Sequence, residues 1–372
     1  MFSKTFGSAL LLAGCAIGAG MLGMPLATVK AGFGPTLIVF LFAWFYMTLA
    51  AFQLLKVALK FPEETNLAEM AKAYFGKVGE GIVFFLMLFL MYALMTAYAA
   101  FVGPLIALYI PIPAIAGSAL FVFTLFVALV CGTKAVDYFN RYFMAGLAIT
   151  YVGLMFYGLP HVELNNLSGG SVVEAVSIIP ILIVCFGFHN LIPSLVRYLD
   201  KKESSLKIAI VLGSLIPLGV YLLWEFLVLG IMQDHSRNLN SIDELLFQVS
   251  HNQAVFHFIA FFAFFAITTS FMGNALSTLD FILDQAGGEK GKVKRGYVAL
   301  VTVIPPLVVA IYNPNIFLTA LQVAGSFSAV ALFGIIPALM SLKAGLERRY
   351  YLSALFLIVF GVLIMFSPYI TG

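Results

Sequence analysis

Charge is scarce in this chain. Only 10% of its 372 residues are charged, against 62% hydrophobic, and the mean hydropathy is +1.04. So few charges cannot cover the surface of a water-soluble domain of this length. Cysteine is almost as rare: Cys15, Cys131 and Cys185 all fall in or beside apolar runs. Without paired spacing or neighbouring histidines they build neither a disulfide framework nor a zinc site, and they read as small membrane hydrophobes. Long polar segments are missing too. The longest polar breaks are about 20 residues, too short for the soluble signalling part of a receptor. No run of basic residues is suited to tracking nucleic acid. The apolar runs carry no pair of carboxylates or histidines on one helix face, which an enzyme would need. Nor do they carry the ring of charges or pore loop of a channel. No cofactor and no metal are expected.

What is present is a succession of apolar runs of about 20 residues, the length that crosses a bilayer as a helix. They predict an all-α polytopic membrane protein with eleven spans, at 7–29, 34–59, 81–109, 114–132, 140–160, 174–199, 207–232, 254–283, 296–312, 316–341 and 350–370. The span at 296–312 is interrupted by "IPP" at 304–306. The start, "MFSKTFGSALLLAG", has one lysine before an apolar stretch, like a signal peptide, but the run reaches Val29 without a small-residue cleavage site. It is expected to be a retained first span. With the N-terminus cytoplasmic and the C-terminus periplasmic, 18 of the 20 basic residues fall inside, leaving Lys30 and Arg237 outside. Such a partition follows the positive-inside rule and supports the span count.

Two spans carry the same fault. "GAGMLGMP" (18–25) and "CFGFHNLIP" (185–193) each place glycine and proline, poor helix formers, in mid-membrane. Pro25 and Pro193 are 168 positions apart. The polar breaks "FPEETNLAEMAKAYFGKVGE" and "QDHSRNLNSIDELLFQVSHNQ" begin at Phe61 and Gln233, 172 apart. A repeat of five spans is odd, so its second copy runs inverted. The expected organisation is one membrane transport domain over 1–372: a five-helix repeat at 7–160, an inverted one at 174–341, and an added helix at 350–370. A broken helix in a bilayer is tolerated where its freed backbone lines a cavity, and paired breaks in inverted repeats mark a secondary transporter's substrate site. The plainer reading makes Gly14 and Gly18 a small-residue packing face and Pro25 a kink.

Longer stretches add a resemblance. "GCAIGAGMLGMPLA" (14–27), "MYALMTAYAAF" (91–101), "VDYFNR" (136–141), "FGFHNLIPSLVRYLD" (186–200) and "TSFMGNALSTLDFI" (269–282) resemble the bacterial hydroxy and aromatic amino acid permease family, in order along nearly the whole chain. The resemblance implies the five-plus-five fold of the leucine transporter, with helices 1 and 6 discontinuous. It also implies proton-coupled uptake of aromatic amino acids, tyrosine foremost, across the inner membrane. Where relatives often have small residues after the histidine of the sixth-span motif, Asn190 and Leu191 follow His189. The third-span motif, which would be expected to end in a glycine-rich tail, reads "AAF". The alternative is a proton- or sodium-coupled carrier of serine, glutamine or asparagine.

Roles follow from residue type. Main-chain N–H groups from Gly18 through Ala19, Gly20, Met21 and Leu22, at a half-helix N-terminus, suit a substrate carboxylate. Carbonyls of Cys185, Phe186 and Gly187 suit its ammonium. Phe188, Tyr92 and Tyr98 are candidates for the aromatic slot, although packing is the common role of such rings. Asn190, Ser270 and Asn274 supply polar handles. Thr268 and Thr269 mark a weak sodium-site possibility, against the usual bond of a hydroxyl back to its own helix. His189 and Glu225, ionisable and within spans, are the candidates for proton coupling. His189 alternatively braces the break, and Glu225 alternatively sits near the outer interface. Asp280 and Asp284 fit the inner interface and Arg197 a snorkelling position. Asp243 and Glu244 fit a short amphipathic helix that acts as an external lid.

Overall fold

Every regular element among the described residues is helical, as the apolar periodicity requires. The computed structural model describes residues 2–62, 65–232, 242–249, 251–285, 295–345 and 348–367. Most of the second polar break with Arg237, the basic residues Lys290, Lys292 and Lys294, and the side chains of Asp243 and Asp284 lie outside that description.

The chain is a multi-pass membrane protein. Among the described residues nine helices are long and apolar enough to cross a bilayer, and a bent pair makes a tenth. The pair is α1 (Phe2–Ala16) and α2 (Gly23–Thr28), joined through a short 3₁₀ turn at Ala19–Leu22 and bent by 47°. Next come α3 (Phe33–Ala58), α4 (Leu67–Ala107), α5 (Ala114–Cys131) and α6 (Thr133–Gly158). The sixth span is assembled from α7 (Val172–Val176), α8 (Ile179–Cys185) and α9 (Ile192–Tyr198). Then follow α10 (Glu203–Ile231), the short α11 (Ile242–Gln248), α12 (Gln253–Gln285) and α13 (Arg295–Tyr312). In the tenth, α14 (Phe317–Val323) and α15 (Ile336–Lys343) flank a wide π-helical stretch at Ala324–Ile335. The last helix, α16 (Arg348–Phe366), is apolar only over Tyr350–Phe366, shorter than the helices counted as crossing, so the described residues show nine or ten spans where the apolar runs predict eleven.

Three local features differ from the sequence reading or sharpen it. The third span is expected to begin at residue 81, after the first polar break, yet α4 starts at Leu67. Asn66 caps it, accepting from the Glu69 N–H at 2.9 Å while the Glu69 carboxylate accepts from the Asn66 N–H at 3.1 Å. Gly76 alone interrupts the winding, at φ +70°, so a polar amphipathic helix runs into the apolar one. The second feature is α13, which continues through Pro305 and Pro306. Pro305 has no N–H for the Val301 carbonyl four residues back, and the Tyr92 hydroxyl donates to that carbonyl at 2.9 Å. The third is at the basic end of the bundle. There Lys60, Lys201 and Lys343 donate to the carbonyls of Ala344 just past α15, Phe61 just past α3, and Tyr74 beside the Gly76 break in α4.

Candidate functional site

Glycine is what lets the two breaks meet other helices at van der Waals range. A Cβ on Gly18 would stand 2.5 Å from Ser270 Oγ, and one on Gly20 would stand 2.9 Å from Cys185 Sγ. The first break therefore lies between α12 and the end of α8, with no space for a side chain toward either. Between them opens a cavity of about 560 Å³, inside the range of about 300–1,000 Å³ usual for small-molecule sites. Gly18, Ala19 and Gly20 line it from the first break, and Cys185, Gly187 and Asn190 from the second. Tyr98, Thr269, Ser270 and Asn274 close the sides. Exposure falls along its length: Cys15, Asn190 and Ser277 are exposed toward the basic end of the bundle, while Tyr98 at depth is 4% exposed. Beyond the break Met21, Leu22 and Met24 are fully buried.

Backbone accounting shows what the break offers. The Ala19 N–H donates to Ser270 Oγ at 2.9 Å, and the Met21 N–H returns to the Gly18 carbonyl at 3.2 Å. An oxygen atom thus already sits on an N–H that was expected to receive a carboxylate. At the second break the Phe186 carbonyl accepts from the Phe188 N–H at 3.2 Å.

One face of α10 carries the support of both breaks. The Tyr221 hydroxyl lies 2.6 Å from the Ala16 carbonyl oxygen and 2.9 Å from that of Cys185, so its single proton serves the last carbonyl of α1 and of α8 together. One turn on, the Trp224 indole N–H donates to the Met21 carbonyl at 3.1 Å. Glu225, beside it, accepts from the Thr28 hydroxyl. All three side chains are fully buried. Residues at i, i+3 and i+4 share a helix face, so α10 runs along the bent first span as a strut. Sequence reasoning singled out Glu225 and missed Tyr221 and Trp224.

The remaining expected residues fall in various places. Phe186 and Phe188 are fully buried behind the break rather than lining the cavity. Phe186 meets the Tyr221 ring edge-on at 5.3 Å. His189 is stacked between Phe188 and Phe333, 5.1 Å from each, and only Phe333 reaches the cavity. The His189 Nε2 lies 3.0 Å from the Met47 carbonyl, which can only accept, so Nε2 carries the proton. His189 Nδ1 and Glu225 Oε2 are buried with no hydrogen-bond partner. Tyr92, Met21 and Leu22 do not line the cavity. The Thr268 and Thr269 hydroxyls donate to the carbonyls of Phe264 and Phe265, at 2.7 and 3.0 Å, one turn back. Asp280 lies 3.7 Å from Arg295, at the interface end of α12. Asn140 lines the cavity from α6 and was not singled out, although it sits within the quoted "VDYFNR".

With this geometry, known proteins can be compared. The tryptophan/tyrosine permease family matches residues 1–367. Tyrosine-specific transport system 1 of Haemophilus influenzae is 31% identical, covering 99% of this chain and 97% of its own. Tyrosine-specific transport system 2 of the same organism is 29% identical over the same shares, 99% and 97%. A tryptophan-specific transport protein of Pseudomonas aeruginosa is 28% identical over 94% of this chain and 88% of its own.

Proposed function

The chain belongs to the tryptophan/tyrosine permease family, and on that premise we propose that it takes up aromatic amino acids, tyrosine foremost, across the bacterial inner membrane with protons as the coupling ion. One observation carries the substrate part: two backbone breaks from distant parts of the chain line one cavity, beside Tyr98 and an Ala19 N–H bound to an oxygen. The α-carboxylate takes the N–H groups of the first break, the ammonium the carbonyls of the second, and the ring lies toward Tyr98. The matching positions of the breaks support the inverted five-helix repeats at 7–160 and 174–341, with 350–370 added. In that arrangement one repeat rocks against the other around a fixed site. The N-terminus is cytoplasmic and the C-terminus periplasmic. The cavity's exposed lining residues Cys15, Asn190 and Ser277 lie toward the basic end, which supports reading this arrangement as the inward-facing state.

Labelled tyrosine uptake into proteoliposomes tests the reading. Uptake is expected with an inward pH gradient, without sodium, and is expected to be blocked by excess phenylalanine or tryptophan. Uptake driven by sodium alone would overturn the coupling ion, and block by serine or glutamine but not by aromatics would overturn the substrate.

Proton coupling is assigned to His189 and Glu225, each with a buried polar atom left unpartnered. Such atoms are costly in an apolar interior unless they serve a purpose. The Glu225→Gln protein is expected to exchange labelled for unlabelled tyrosine across the vesicle yet fail to accumulate it against a gradient. His189→Gln is to be compared in the same assay. Full accumulation by both variants would remove the assignment.

A further inference from the structure

A second cavity, of about 330 Å³, lies where the basic end of the bundle meets the bilayer surface, between the last turns of α3 and the first turns of α10 and α16. α3 lines it with Leu49, Phe52, Gln53, Leu55 and Lys56, and α10 adds Lys207 and α16 adds Tyr350 and Ser353. Two features mark it as built for a ligand. First, Lys56 and Lys207 each lie 2.6 Å from the same oxygen of Glu203, so two ammonium groups share one carboxylate and a positive charge is left over at the rim. Second, Gln53 is 1% exposed and spends its amide N–H groups on the Tyr350 carbonyl and Ser353 Oγ, at 2.9 and 2.5 Å, which ties α3 to α16 and fixes the shape of the cavity. The site therefore offers one net cation beside the apolar side chains of Leu49, Phe52 and Leu55. Nearby Lys60, Lys201 and Lys343 instead donate to main-chain carbonyls.

We infer that this cavity binds the headgroup of an anionic phospholipid such as phosphatidylglycerol. The phosphodiester meets Lys56 and Lys207, and the acyl chain lies along Leu49 and Phe52. The single charge of the phosphodiester matches the single uncompensated ammonium. A free phosphate shares the ionic chemistry but would leave Leu49 and Phe52 uncovered. Basic pockets between spans at the cytoplasmic surface are a recurrent place for anionic headgroups.

Native mass spectrometry of the full chain, released from detergent after incubation with phosphatidylglycerol, phosphatidylcholine or inorganic phosphate, tests this. Retention of phosphatidylglycerol is expected, and Lys207→Gln should weaken it about fivefold, as one interfacial cation is worth roughly 1 kcal/mol. Lys207 has a side chain 45% exposed, so its loss should leave the melting temperature in place. Equal retention by the variant, equal retention of phosphatidylcholine, or displacement of the lipid by inorganic phosphate would each overturn the assignment.

Discussion

Tyrosine uptake by a Tyr221→Phe protein is expected to fall about 10–100-fold, with the loss appearing mainly as a raised KM. The change removes one oxygen and leaves the ring, so packing against Phe186 is kept. What disappears is the proton lying 2.6 Å from the Ala16 carbonyl and 2.9 Å from that of Cys185. Leaving a buried acceptor unpaired costs about 1–3 kcal/mol, and each 1.4 kcal/mol is a factor of ten. Because those carbonyls end α1 and α8, their release lets the two halves of the site move apart. Trp224→Phe is the control: it loses a bond to Met21 only, on one break, and should affect KM far less. Tyrosine binding to purified protein, measured beside uptake, separates the two variants. Wild-type affinity in Tyr221→Phe would show that the hydroxyl does not hold the site.

The second large effect is expected from Gly18→Ala, which should reduce uptake about 10–100-fold, the range that overpacking of 1–3 kcal/mol implies. The added methyl would sit 2.5 Å from Ser270 Oγ. Two causes are separable by removing that oxygen. If the clash with Ser270 were the whole reason for glycine, the double variant Gly18→Ala, Ser270→Ala would recover uptake. If glycine is there so that the substrate can approach the main chain, the double variant stays impaired, and that is the expected result. Ser270→Ala alone frees the Ala19 N–H and should lower the KM for tyrosine by several-fold, since a competing acceptor is gone. A raised KM would instead make Ser270 a ligand of the substrate.

The contrast between Gly18 and Tyr221 shows what was legible in the sequence. Spans and breaks were, because length of apolar run and the misplacement of glycine and proline are one-dimensional signals. Tyr221 was not. It is one of 16 tyrosines in a chain that also has 37 phenylalanines, and its distinction is a position opposite two carbonyls, 205 and 36 residues away. Tyr92 shows the same limit from the other side. It drew attention as an aromatic near the expected pocket, yet its hydroxyl serves the carbonyl orphaned by Pro305. Both halves of that pair were visible, as a tyrosine and an "IPP", but only the packing of α4 on α13 joins them. The helical start at Leu67 was readable in principle from the Asn66–Glu69 capping box, which the polar composition around it concealed. Nothing in "AGSFSAVALFGI" announces π winding.

The strut along α10 also sets an order of events during synthesis. The carbonyls of Ala16 and Met21 leave the ribosome about 200 residues before Tyr221 and Trp224. At translation speeds of about 5–20 residues per second that gap is roughly 10–40 s. For that interval the acceptors of the first break have no donor from α10. An unsatisfied carbonyl in hydrocarbon costs several kcal/mol, so the first span is expected to settle into its bent form only when the seventh span arrives. Truncations ending before residue 221 lack both donors and are expected to hold the first span less firmly than the full chain does, read as faster proteolysis of the N-terminal segment in vesicles.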